Sequence, residues 1–191
     1  YAEKLIEISN KDAEKNLMKA LLQYGAKAQV HFGYEGAEVD ADEFELNYTT
    51  VANTDSNLLH NLTLESQIDL SFFIEKTGDF ATKEGLTAIV SGNFNGKANN
   101  SVTITNWEEV TYGGKGYWRL RCEWIAPAEL ENEVTLTITK EGEATLILEN
   151  TYSVAAYADK SISSDGVVET LKDLTKALRI YGEAAKVHFS E

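Results

Sequence analysis

Hydrophobic and polar positions follow two different periods along this chain, and the change of period divides it. Towards the C-terminus Val168, Leu171, Leu174, Leu178, Tyr181, Ala185 and Phe189 recur every three or four residues, the spacing of one helix face. Leu17, Leu21, Tyr24, Ala28 and Phe32 make the same stripe near the N-terminus. Between the two stripes the period falls to two. Ile68, Leu70, Phe72 and Ile74 alternate with Gln67, Asp69, Phe73 and Glu75, and Val134, Leu136 and Ile138 alternate with Thr135, Thr137 and Thr139. Leu86, Ala88 and Val90 alternate with Thr87, Ile89 and Ser91, ahead of a turn at Asn93-Phe94-Asn95-Gly96. Another turn, Lys140-Glu141-Gly142-Glu143, precedes Leu146 and Leu148. Short alternating strands between Gly- and Asn-rich turns predict an antiparallel β-sandwich, Ig-like or related. The expected organisation is a helical tail over 1–36, a β-sandwich module over 37–152 and a second helical tail over 153–191. Ser164 or Asp165 is the expected N-cap of the second tail, and Pro127 falls between strands.

The two stripes are copies of one another. Residues 17–32 read LMKALLQYGAKAQVHF and residues 174–189 read LTKALRIYGEAAKVHF, with ten of the sixteen positions identical. Upstream, Tyr1-Ala2-Glu3-Lys4 answers to Tyr157-Ala158-Asp159-Lys160 after a slip of one residue. The reading that follows is the tail of a preceding unit, then one unit with its own tail, in a piece of a longer chain. A glycine inside a helix costs about 1 kcal/mol relative to alanine. Its recurrence as Gly25 and Gly182, with Ala28 and Ala185 three residues on, predicts close approach of a neighbouring element. Tyr24, Gly25, Ala28, Tyr181, Gly182 and Ala185 are therefore the expected packing residues between units, and tight core packing is the plainer account of them.

The stretch Tyr152-Ser153-Val154-Ala155-Ala156-Tyr157-Ala158, followed by Ala177 to Phe189, resembles the ends of repeat modules in large surface proteins of Gram-positive gut anaerobes. Those modules end in a helix of the type LLxYGAAAQxYF, and Leu21 to Phe32 is similar. Ile125-Ala126-Pro127-Ala128-Glu129-Leu130 before a Thr-rich strand fits the same pattern. The resemblance covers the tails and the last third of the chain, with Lys27 and Glu183 interrupting the alanine run. It implies an extracellular or cell-surface setting and carries no catalytic residues.

Composition narrows the functional classes. With 31 acidic against 17 basic residues in 191, the formal charge is −14. That balance disfavours nucleic acid, which is bound by releasing counterions from phosphates through Lys and Arg, and it disfavours anionic membranes. Cys122 is the single cysteine, so an intramolecular disulfide and a cysteine-based zinc site are excluded. No apolar run reaches the roughly 18 residues of a membrane span. No nucleophile elbow, zinc motif or Walker loop occurs, and neither an enzyme nor a cofactor is expected. Gly113-Gly114-Lys115-Gly116 reads as a hairpin turn. His31 and His188 fall near helix ends, where the dipole favours them, and His60 reads as a loop residue. Asp40, Asp42, Glu43 and Glu45 form an acidic run that suits a solvated strand edge better than a calcium loop.

Aromatic residues make the one tempting binding constellation. Parity puts Trp118, Leu120, Cys122 and Trp124 on one face of a strand, the core face, and Tyr117, Arg119, Arg121 and Glu123 on the other. Trp107, Tyr112 and Tyr117, with Arg119 and Glu123, are then the expected exposed set, the kind of platform that stacks on a sugar ring. Two functions follow. One is a non-catalytic structural or adhesive module whose helices set the geometry between consecutive units. The other is a carbohydrate-binding module for a gut polysaccharide. Partners are accordingly a polysaccharide or surface protein and the neighbouring modules. A self-formed Lys–Asn isopeptide crosslink is a third, lesser expectation.

Overall fold

A computed structural model of the chain describes residues 2–34, 43–51, 56–64, 67–142 and 146–190. Among these described residues there are four α-helices and eight strands: α1 (Ala2–Ile8), α2 (Asp12–His31), β1 (Leu59–Leu64), β2 (Ile68–Glu75), β3 (Leu86–Phe94), β4 (Lys97–Ile104), β5 (Glu108–Tyr112), β6 (Lys115–Ile125), β7 (Val134–Lys140), β8 (Leu146–Tyr152), α3 (Val154–Ser163) and α4 (Glu169–Ser190). They fall into two compact units. One gathers Tyr1–Asn53, Pro127–Leu130 and Ala158–Glu191; the other holds Thr54–Ala126 and Glu131–Tyr157.

The strands of the second unit form two antiparallel four-stranded sheets, in the orders β1-β2-β6-β5 and β4-β3-β7-β8. The alternating apolar positions read from the sequence are buried in each sheet. Leu70, Phe72, Ile74, Leu120 and Cys122 are buried on one, and Ala88, Val90, Leu136 and Ile138 on the other. At about 25 cal/mol per Å² of apolar surface, each buried Val, Leu, Ile or Phe among them contributes roughly 1.5–3 kcal/mol. Two hairpins are closed by two-residue turns with both central residues in the left-handed region: Asn95-Gly96 (φ 57° and 66°) and Gly113-Gly114 (φ 58° and 79°). That backbone matches the twist of the flanking strands and is open to few residues besides Gly and Asn. Gly92 is required for a different reason, because a Cβ there would lie 2.5 Å from the Glu133 carbonyl oxygen. Ser153 caps α3 by accepting the Ala156 N–H at 3.0 Å, as an N-cap serine does.

His60 lies in β1, not in a loop. Its ring stacks on Tyr152 of β8 at 3.9 Å between centroids and meets the edge of Phe72, and Nε2 is 3.1 Å from Asn150 Oδ1.

In the first unit α2 and α4 run antiparallel. Tyr24 stacks on Tyr181 at mid-helix, and His31 at the end of α2 reaches Thr170 at the start of α4. Leu17 and Ala20 share a cluster with Ile180, Ala184 and Ala185, onto which Phe44, Leu46 and Tyr48 also pack. Those last three alternate with the exposed Glu43, Glu45 and Asn47 along a stretch without strand pairing. The expected acidic strand edge is therefore an extended strap laid on helices, with Glu45 3.5 Å from Lys176. Asp40 and Asp42 lie outside the described residues. Neither Ser164 nor Asp165 caps α4, which starts at Glu169. The Ser164 hydroxyl instead donates to the Lys160 carbonyl in α3 at 2.6 Å. The stripes also stop short of their ends, since Phe32, Val168 and Phe189 are exposed.

Candidate functional site

Two places carry more than packing. The first is the helix pair. α2 and α4 start at positions 157 residues apart, the same offset that aligns the repeated blocks. Tyr24 and Tyr181 are equivalent positions and stack on each other with centroids 5.6 Å apart and planes 18° from parallel. One sequence block thus meets its own copy across an approximate local two-fold. Burial, then the charge that Tyr181 would carry, pushes the Tyr24 hydroxyl up to about 12, and burial raises that of Tyr181.

The copies differ in what covers them. A Cβ on Gly182 would sit 2.5 Å from Leu130 Cδ1 and 3.0 Å from the Pro127 carbonyl oxygen, whereas one on Gly25 would meet nothing within 4 Å. Leu178 is fully buried and its equivalent Leu21 is 36% exposed. Ala185 is buried and Ala28 only partly so. The short 3-10 turn Pro127–Glu129, with Leu130 after it, fills the seat on α4. A second difference concerns the histidines. His31 Nδ1 lies 3.1 Å from Thr170 Oγ1. The equivalent nitrogen, His188 Nδ1, is buried and has no hydrogen-bond partner among the described residues.

The second place is a cleft of about 280 Å³ beside the passage from β4 to β5. Val90, Phe94, Ile104, Asn95, Thr103, Thr105, Asn106, Arg121, Glu123 and Trp124 contribute to its wall. Strand parity puts Trp124 in the core, yet it is 55% exposed. The cause is a β-bulge. Ile68 pairs with Ile125 and Leu70 with Cys122, so Asp69 alone stands opposite Glu123 and Trp124. The extra residue shifts the parity, and Trp124 adopts φ 65°. A left-handed conformation costs a non-glycine residue on the order of 1–3 kcal/mol unless its surroundings fix it. Here the buried Asp69 carboxylate accepts the Trp124 N–H at 3.1 Å and the Gln67 amide at 2.7 Å.

The five residues expected to bind a ligand do not form one exposed platform. Trp107 is 8% exposed and sets its ring edge against Trp118. It lies beyond the end of β4, so strand parity does not extend to it. Tyr117 is also 8% exposed, on an inner strand between Glu75 of β2 and Val110 of β5. Tyr112 is 68% exposed at a hairpin tip. Arg119 donates twice to Glu108 Oε2, from Nε at 2.9 Å and a terminal nitrogen at 2.6 Å. Only Glu123 borders the cleft.

Among the described residues, no group of three or more His, Cys, Asp and Glu side chains is placed to hold a metal ion. No helix there is long and apolar enough to cross a membrane. Comparison of the chain with protein-family models, with curated proteins and with solved structures returns no match.

Proposed function

We propose that this chain is a non-catalytic structural or adhesive module of a secreted or cell-surface multidomain protein, and that its repeated helices set the geometry between consecutive units. In this reading the two antiparallel sheets form an Ig-like or related β-sandwich, and the two helical blocks are the tails of neighbouring units. The observation that carries it is the stacking of Tyr24 on Tyr181, two equivalent positions of one repeated block brought face to face. A spacer built from like units needs a joint that every unit can make, and a block that pairs with its own copy supplies one. The acidic composition suits a solvated extracellular module and makes nucleic acid an unsuitable partner.

The test is to insert a protease site between Gly33 and Gly36, cleave the folded protein, and follow the α1–α2 piece by gel filtration. Co-elution with the remainder, lost on Tyr24→Ala, supports a joint held by the helix pair. Separation of the piece without denaturant overturns it.

A further inference from the structure

The geometry points to a binding site for one neutral sugar ring of a glycan in the cleft beside Trp124. Three observations converge on it, and none depends on the helix pair. The first is an indole left 55% exposed on a chain whose other two tryptophans are only 8% and 7% exposed. Its position is built, because the buried carboxylate of Asp69 holds the left-handed backbone that turns the ring outward. Bulges re-aim side chains in this way near functional sites.

The second observation is the chemistry of the wall. Buried Val90, Phe94 and Ile104 and the exposed Val102 share its lining with the neutral amides of Asn95 and Asn106 and the hydroxyls of Thr103 and Thr105. A pyranose matches that mixture, offering an apolar C–H face to an aromatic ring and hydroxyls around its edge. The volume of about 280 Å³ lies just under the range that encloses drug-sized ligands, which fits a single ring of a longer chain.

The third is charge. The Arg121 guanidinium is shared between Glu108 at 3.4 Å and Asp69 at 3.9 Å, so it offers N–H donors with little net positive field. Glu123 adds a carboxylate to the wall. An anionic ligand would be repelled there, whereas a diol can donate to Glu123 and accept from Arg121.

Affinity electrophoresis of the full chain through gels containing soluble neutral polysaccharides of gluco-, manno-, galacto- and xylo-configuration, beside polygalacturonate, tests this. Trp124→Gly removes the ring yet favours the same backbone conformation, so folding is preserved; unchanged far-UV circular dichroism verifies it. The expected result is retardation by at least one neutral glycan, weakened tenfold or more by Trp124→Gly, reduced by Glu123→Gln and unchanged by Tyr112→Ala. The tryptophan emission of the wild-type chain should shift as that glycan is added. Retardation by none of the neutral glycans overturns the proposal. So does retardation by polygalacturonate alone, or retardation that survives Trp124→Gly.

Discussion

Asp159 Oδ1 accepts a hydrogen bond from Arg179 Nε at 3.0 Å, with the two side chains only 5% and 2% exposed. Each partner also holds the strap. Asp159 Oδ2 accepts the Val51 N–H at 2.8 Å, and an Arg179 terminal nitrogen donates to the Thr49 carbonyl at 2.6 Å. The guanidinium lies 4.8 Å from the centre of the Tyr48 ring. Removing one partner of a buried ion pair leaves an uncompensated charge and costs about 3–5 kcal/mol. Asp159→Ala is expected to lower unfolding free energy by about that much in urea titrations. Amides of residues 44–51 should exchange faster in the same variant. A loss under about 0.5 kcal/mol, the range of an ordinary surface substitution, would show that the pair is not an anchor.

The two repeated glycines should respond to alanine with opposite signs. At Gly25 a methyl group meets nothing, so helix propensity alone acts, and Gly25→Ala is expected to stabilise by up to about 1 kcal/mol. At Gly182 the methyl would run into Leu130 and the Pro127 carbonyl. Overpacking of that kind typically costs about 1–3 kcal/mol. Thermal unfolding of the two variants under one condition is the check, and shifts of like sign would contradict the difference in covering.

Counting back along the aligned blocks, Ala13 occupies the position of Thr170. A two-fold relation through the Tyr24–Tyr181 stack would set Ala13 opposite His188, as Thr170 stands opposite His31. Ala13→Ser would give the buried His188 Nδ1 a hydroxyl, and a buried hydrogen bond contributes about 0.5–1.5 kcal/mol. A higher melting temperature is expected from Ala13→Ser, and no gain from Ala13→Val.

Alkaline titration should report on the tyrosine pair. Tyr24 ionises near 10 when unfolded and at about 12 when folded, so the native state binds its proton more tightly. The stability it contributes is fully present below pH 10 and is lost as pH rises from 10 to about 12. Tyrosinate absorbance near the top of that window, moving down in Tyr181→Phe, is the expected behaviour. Ionisation of every tyrosine near pH 10 in the folded chain would refute it.

Much of the β region was legible because strand period and turn chemistry are local. Asn95-Gly96 and Gly113-Gly114 offered the few residue types that accept paired positive φ, and both close hairpins. The repeat was legible as identity, and both blocks are helices. What was not legible depended on one inserted residue. Parity counted along β6 puts Trp124 inside, and nothing in Glu123-Trp124-Ile125 announces a left-handed tryptophan. The clue lay on the partner strand, where Asp69 sits between Ile68 and Leu70 and must be satisfied once buried. Phe44, Leu46 and Tyr48 show the converse. Their period of two is real, but they alternate against helices, and the pattern alone does not say what an extended segment lies on.

Tyr24 meets Tyr181, its own equivalent in the repeated block. A contact in which a surface meets its own copy is isologous, and an isologous contact closes on itself, whereas a head-to-tail contact propagates. If the helical blocks are unit tails, as proposed, tails joined through this surface would pair off two by two, and no third could add to a completed pair through the same face. A string of units joined as proposed would have such a tail pair at every second junction, so each unit would make one joint of this kind and the ends of the string would differ with whether the number of units is odd or even.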